Sequence, residues 1–301
     1  MRTTIRLIIL ICLPLSVFAQ KRVDIFSLSG NYNFTEAPAN SNQNYELGIM
    51  SNLNIPIVLK DSSIWYSSID YQYFSTATES ATFTSLNNFS LHGIVLRTGL
   101  IYKLNQGKYL HVLFAPRYMG DFNASFGKSV QLGAIVLYEH QKSNTYTYRF
   151  GVLYNNECFG TYIVPVFYMD WALTDKIKFN GLLPVYGRLY YQPTEKFSAG
   201  LHFIGLTTSH RIHDQGMENY YVDRRSIDID LFSTINIWDN FFIEGRVGYS
   251  ISKSYGLYAE NDKISLGVPL YNFGDNRTQL NEDSDPSAFI HLKLLYSIPV
   301  N

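Results

Sequence analysis

Polar and apolar residues alternate with a period of two through most of this chain, in segments of strand length. In the stretch from Tyr45 to Lys60 the odd positions include Tyr45, Leu47, Ile49, Leu53, Ile55, Ile57 and Leu59, and the even positions include Glu46, Gly48, Asn52, Asn54 and Lys60. Farther on, Ile227, Ile229, Leu231, Ile235 and Ile237 interleave with Ser226, Asp228, Asp230, Thr234 and Asn236. Successive side chains of a strand point to opposite faces, so this pattern gives each segment one apolar and one polar face. A helix would need a period near 3.6, which the chain does not show. Beyond the first twenty residues no apolar run reaches the roughly 18 residues that a membrane-spanning helix requires.

Two architectures use such strands, and composition separates them. A soluble sandwich turns its apolar faces inward and needs a charged outer surface. Only 16% of this chain is charged, against about 25% in soluble domains, and its polar faces are built from Asn, Ser, Gly and Thr. Aromatic residues reach 16%, with 24 Tyr. Tyr has an apolar ring and a polar tip and suits a membrane–water boundary. A closed barrel is the β-structure that crosses lipid with every backbone group paired.

The alternation predicts a transmembrane antiparallel up-and-down β-barrel of about 14 strands, near 23–34, 45–60, 63–78, 89–104, 109–121, 129–142, 145–155, 161–173, 176–183, 185–192, 196–211, 221–237, 241–257 and 287–299. The alternative count is 12, because 176–183 and 185–192 are short and meet at Leu183-Pro184 with almost no loop. Residues 263–273 are open to pairing as an extra strand or a hairpin. Connections alternate between tight turns, such as Ser143-Asn144 and Trp238-Asp239-Asn240, and longer polar stretches such as 79–88 and 258–286. That pattern puts the tight turns in the periplasm and the long loops outside the cell.

Residues 1–19 read as a cleavable signal peptide and 20–301 as one barrel domain. Arg2 and Arg6 precede an apolar run from Leu7 to Leu15, and Val17-Phe18-Ala19 supplies a cleavage site before Gln20. Cys12 leaves with that segment, so Cys158 has no internal partner for a disulfide. The signal ending, the segment Gly181-Leu182-Leu183-Pro184, and Leu189-Tyr190-Tyr191-Gln192-Pro193 followed by Phe197-Ser198-Ala199-Gly200-Leu201 resemble outer-membrane barrels of unknown function from Bacteroidetes-type bacteria. The resemblance implies an outer-membrane location, with outer-membrane lipid and the barrel-assembly machinery as partners. The terminal strand departs from the usual terminal aromatic unless Tyr296 takes that role.

Chemical signatures are sparse. Gly-x-Ser-x-Gly, His-Glu-x-x-His and phosphate-binding Gly-rich motifs are absent from the sequence. Ser209-His210-Arg211, with His213-Asp214 beyond, is the nearest hydrolase candidate, but adjacent strand residues face opposite ways and cannot easily share a proton. The pair His210 and His213 lacks a third ligand at metal spacing. Asp275, Glu282, Asp283 and Asp285 offer oxygen ligands in what reads more simply as a solvated acidic loop. Cys158 has no flanking cationic cluster to activate it. The expectation is no catalytic residue, no metal and no cofactor, and a formal charge of −1 gives no argument for nucleic acid.

The inward face carries the polar chemistry. A hairpin at Trp238-Asp239-Asn240, with Ile237 opposite Phe241, places Thr234 opposite Glu244, Phe232 opposite Arg246 and Asp230 opposite Gly248. Arg246 is then expected to bridge Asp230 and Glu244, with Asp228 in the same lumen-facing cluster. Arg97, Arg117, Arg149 and Arg188 are expected as further lumen cations. Gly99, Gly133, Gly151 and Gly248 are expected to leave room on that face, which favours a water-accessible interior. The resulting reading is a passive pore or transporter for a small polar or amphipathic solute. A structural or surface-interaction barrel with partner-binding loops is the alternative, and an outer-membrane lipid hydrolase stands third.

Overall fold

The computed structural model describes residues 22–34, 45–77, 89–213, 220–281 and 286–299. The signal peptide, Asp214, Glu282, Asp283 and Asp285 lie outside them, as do the connections 35–44 and 79–88.

The wall begins with β1 (Arg22–Phe34), β2 (Tyr45–Val58), β3 (Ile64–Ala77) and β4 (Ser90–Asn105). The next two wall strands are each interrupted: β5 (Lys108–Phe114) continues as β6 (Arg117–Gly120), and β7 (Val130–Gln131) continues as β8 (Gly133–Gln141), with the single-turn α1 (Phe126–Ser129) between the pairs. Then follow β9 (Tyr146–Glu157), β10 (Gly160–Ala172), β11 (Ile177–Leu183), β12 (Tyr186–Thr194), β13 (Phe197–Ile212), β14 (Tyr220–Trp238) and β15 (Phe241–Ala259). A short hairpin, β16 (Leu266–Val268) and β17 (Tyr271–Phe273), precedes the last wall strand, β18 (Ser287–Pro299). Neighbours pair antiparallel around the ring, and β18 closes on β1 from Arg22↔Pro299 to Phe34↔Ala288. The result is a closed barrel of 14 wall strands. Segments β11 and β12 pair from Ile177↔Tyr191 to Leu182↔Tyr186, so they are two strands and the count of 12 fails.

The alternation sorts the faces as expected. Leu231, Val247 and Leu292 are each 63% exposed on the outer wall, and Leu231↔Val247 is a register pair. Trp65, Tyr102, Trp171, Tyr191 and Trp238, all exposed, lie near the tight-turn ends of their strands. An apolar belt bounded by amphipathic rings is the surface that lipid covers.

Strand height is uneven. Strands β14 and β15 have 19 residues each, against 13 in β1 and β18. Their long-loop ends, with the end of β13, lean inward over the mouth. Ile212, Val222, Tyr255 and Leu257 bury themselves against Phe74 and Leu91 of β3 and β4 and against Phe89, although β18, β1 and β2 separate β15 from β3 in the ring. Arg211 of β13 forms a parallel bridge with Gly120 of β6. This flap reaches across the mouth from one rim to the other. Height beyond the belt leaves apolar residues with no lipid to cover them, and they fold onto the opposite rim.

The glycines also depart from expectation. A Cβ on Gly151 would stand 2.0 Å from the Val136 carbonyl oxygen, and one on Gly99 2.2 Å from that of Val112. One on Gly248 would meet Asp230 Cβ and Phe289 at 2.6 Å, and one on Gly133 would meet Asn155 Oδ1 at 2.8 Å. These are places of close approach rather than vacant lumen.

Candidate functional site

Two polar centres occupy the barrel, one above the other. The lower is built on β12, β13, β14 and β15. The register Thr234↔Glu244, Phe232↔Arg246 and Asp230↔Gly248 is the expected one. The turn that produces it is tighter than expected: Trp238 pairs with Phe241, a bulge at Ile237 restores the phase, and Asp239 takes the positive φ of 45°. Glu244, 1% exposed at its side chain, accepts bonds from Arg188 Nη2 at 2.6 Å, Arg246 Nε at 2.7 Å and Thr234 Oγ1 at 2.8 Å. Arg246 Nη1 lies 3.9 Å from Asp230 Oδ2. His202 Nδ1 sits 2.7 Å from the same oxygen. Arg246 Nη1 lies 2.9 Å from Nδ1 and 3.3 Å from Nε2 of the same imidazole. The guanidinium of Arg188 lies over the Phe232 ring at 4.0 Å.

Below this centre a cavity of about 280 Å³ opens at the tight-turn end, lined by Arg22, Asp24, Arg188, Lys196, Thr234 and Glu244 among others. It borders the ionic network at Arg188, Thr234 and Glu244.

The upper centre latches the flap. Glu46 of β2 receives Lys253 Nζ at 3.0 Å, Arg224 Nη2 at 3.4 Å and the Tyr255 hydroxyl. The Arg224 guanidinium stacks on the Phe74 ring at 3.9 Å and faces Tyr255 at 5.5 Å. Asp228 accepts a bond from its register partner Ser250. The register shift lies between Ile227 and Asp228, so Asp228 keeps the register of Asp230 and Thr234 and stands one same-face step from Asp230, while Arg246 bonds Glu244 and approaches Asp230. On the other side of the flap, Glu157 binds Arg117 and accepts Ser209 Oγ at 2.7 Å and Ser209 N at 3.0 Å, while the Cys158 amide donates to Ser209 Oγ at 2.7 Å.

The remaining expected cations are also paired, Arg97 with Asp70 and Arg149 with Glu139, whose Oε2 lies 3.0 Å from His111 Nε2. Ser209 hydrogen-bonds Glu157, whereas neither ring nitrogen of the buried His210 has a hydrogen-bond partner, so the two side chains do not form a nucleophile–base pair. Asp275 binds Arg277 at 2.8 Å, and Arg277 reaches Asp223 at 3.0 Å. The hydrogen bonds from Arg277 hold the Asp275 carboxyl well below the usual carboxylate range. Among the described residues no cluster of three or more His, Cys, Asp or Glu side chains has metal-binding proximity.

Sequence reading missed His202, Arg224, Lys253 and Glu157. Arg224 shares parity with Asp228 and Asp230, and extending that alternation would have found it. Glu157 lies past the expected end of its strand, and its partner Ser209 is on a non-neighbouring strand, which no local pattern reveals.

The family comparison matches residues 17–264 to a domain of unknown function, DUF6268. The chain belongs to that family. No curated protein matches the DUF6268 chain. Among solved structures it is similar to an outer membrane channel from Pseudomonas putida F1, with 9% identity, a TM-score of 0.45, and 93% of this chain and 98% of that one covered. The NanC porin gives 9% identity, a TM-score of 0.39 and 90% and 98% coverage. A TodX monoaromatic hydrocarbon channel mutant gives 10%, 0.39, and 93% and 90%.

Proposed function

We propose that this DUF6268 protein is an outer-membrane barrel that passes a small polar or amphipathic solute, and that the flap of β13–β15 is its gate. The observation that carries the reading is the asymmetry of the interior. The turn end holds a cavity of about 280 Å³ lined by charged side chains, while the loop end is shut by a latch in which Glu46 collects Arg224, Lys253 and Tyr255. The cavity is lined by the cations Arg188 and Lys196 and by the carboxylate of Asp24, so it presents both signs of charge to a zwitterionic solute. The structural-barrel reading draws on one fact, that every expected lumen cation is already paired with a carboxylate.

Single-channel recording distinguishes the two. The wild-type barrel in planar bilayers should be almost silent. Glu46→Gln and Arg224→Ala, each first shown to keep a heat-resistant fold, should raise the open probability by removing one side of the latch. Arg188→Glu in the Glu46→Gln background should shift ion selectivity towards cations. Folded latch variants that stay as silent as the wild type would reject the gate and favour a structural barrel.

A further inference from the structure

The wall has a low point. Strands β11 and β12 have 7 and 9 residues, and the pairing of β10 with β11 stops at Phe167↔Leu183. Strand β10 continues upward to Gly160, paired throughout with β9 on its other edge. Its free edge above Phe167 would expose backbone donors and acceptors at the height where the belt ends, which lipid does not tolerate.

The β16–β17 hairpin occupies that edge. Gly267 pairs in parallel with Tyr162, and the Ile264 amide donates to the Phe159 carbonyl at 2.9 Å. A Cβ on Gly267 would lie 2.7 Å from the Tyr162 ring, so Gly267 shares the face of Tyr162. That face looks inward, since Val164 and Val166, of the same parity, pack inside with Leu137. Gly267↔Asn272 is therefore the inner pair of the hairpin, and Leu266↔Phe273 and Val268↔Tyr271 are the outer pairs. The outer face is apolar and open: Leu270 is 88% exposed, Tyr271 60% and Phe273 49%. Tyr271 and Phe273 meet edge to face at 4.8 Å. The neighbouring outward residues, Ile163 of β10 and its partner Tyr154 of β9, are at the upper margin of the belt, and Tyr154 is exposed there.

We propose that the β16–β17 hairpin is a wall segment and not a water-exposed loop: its outer face, Leu266, Val268, Leu270, Tyr271 and Phe273, contacts the lipid of the outer leaflet and extends the belt across the gap above β11 and β12. Continuity selects lipid as the occupant. The hairpin extends the sheet of β10 through Gly267↔Tyr162, its pairs alternate as those of the wall strands do, and its Tyr, Phe and Leu are residues that partition to the acyl–headgroup boundary.

The test places a nitroxide on the full-length barrel reconstituted in phosphatidylcholine vesicles, at Tyr271→Cys and Phe273→Cys separately. Leu231→Cys serves as the belt reference and Asn276→Cys as the water reference. The unlabelled-background control is the parent chain, whose Cys158 is buried. Collision with oxygen should exceed collision with a polar nickel chelate at both hairpin sites, as at Leu231. Asn272→Cys, on the inner face, should be less accessible to oxygen than Tyr271→Cys. Nickel-dominated collision at 271 and 273, as at Asn276, would overturn the proposal. So would shielding of both sites from both reagents, which would mean that a second protein surface covers the face. The labels at 231, 271, 273 and 276 sit on exposed side chains, and retention of the heat-resistant band confirms that each variant is folded before it is read.

Discussion

At the scale of single residues, the lower network depends on Glu244. It is almost fully buried and serves Arg188, Arg246 and Thr234 together. Its removal strands two guanidinium groups, whereas removal of Arg246 leaves Glu244 still paired with Arg188. Breaking a buried ion pair from one side costs about 3–5 kcal/mol, so Glu244→Ala should destabilise the folded barrel clearly more than Arg246→Ala. Arg246→Ala should in turn cost less in a background carrying Asp230→Asn and Glu244→Gln. Urea unfolding in detergent micelles reads the cycle, and coupling below about 0.5 kcal/mol would show that Arg246 does not depend on these carboxylates.

At the scale of elements, the β14–β15 hairpin tests the two faces within one turn of sequence. Leu231 is exposed on the belt, and Thr234 hydrogen-bonds Glu244 inside. An Arg on the lipid face near the midplane costs about 2–4 kcal/mol. Leu231→Arg should therefore lower the yield of heat-resistant barrel, while Thr234→Arg should cost much less. Equal losses would reject the assigned alternation. The same hairpin shows what a local pattern resolves and what it does not. Pairing of Ile235 with Ile243 followed from keeping apolar residues on one face. The bulge at Ile237 that reconciles this phase with a two-residue turn left no mark in the alternation, because Ile237 and Trp238 are both apolar and either can follow Asn236 outward.

At the scale of the whole molecule, orientation and closure are linked. Both described chain ends, Arg22 and Pro299, pair at the tight-turn end, and the tall ends of β13–β15 stand at the other. With the turns in the periplasm, an epitope inserted beside the exposed Asn276 should be reached by antibody on intact cells. Labelling only after the outer membrane is permeabilised would invert the orientation. The loop that carries Asn276 is held by Arg277, which binds both Asp275 and Asp223, so the epitope is best placed at Asn276 itself and not across that pair.

The barrel, its 14 wall strands, the outward and inward faces and the register around Glu244 and Arg246 were all legible along the chain. These follow from a period of two, from turn residues and from cross-strand neighbours, all of which are local along the chain. Only the closed ring shows that the flap reaches across the mouth to the opposite rim, that Glu46 gathers Arg224 and Lys253, that Ser209 meets Glu157, and that the β16–β17 hairpin pairs on β10. Each of those outcomes joins strands far apart in the ring: Glu46 with Arg224, Ser209 with Glu157, Tyr162 with Gly267. Alternation tells which way a side chain points and not what stands opposite it across a lumen, so contacts made through the interior are invisible until the ring is closed.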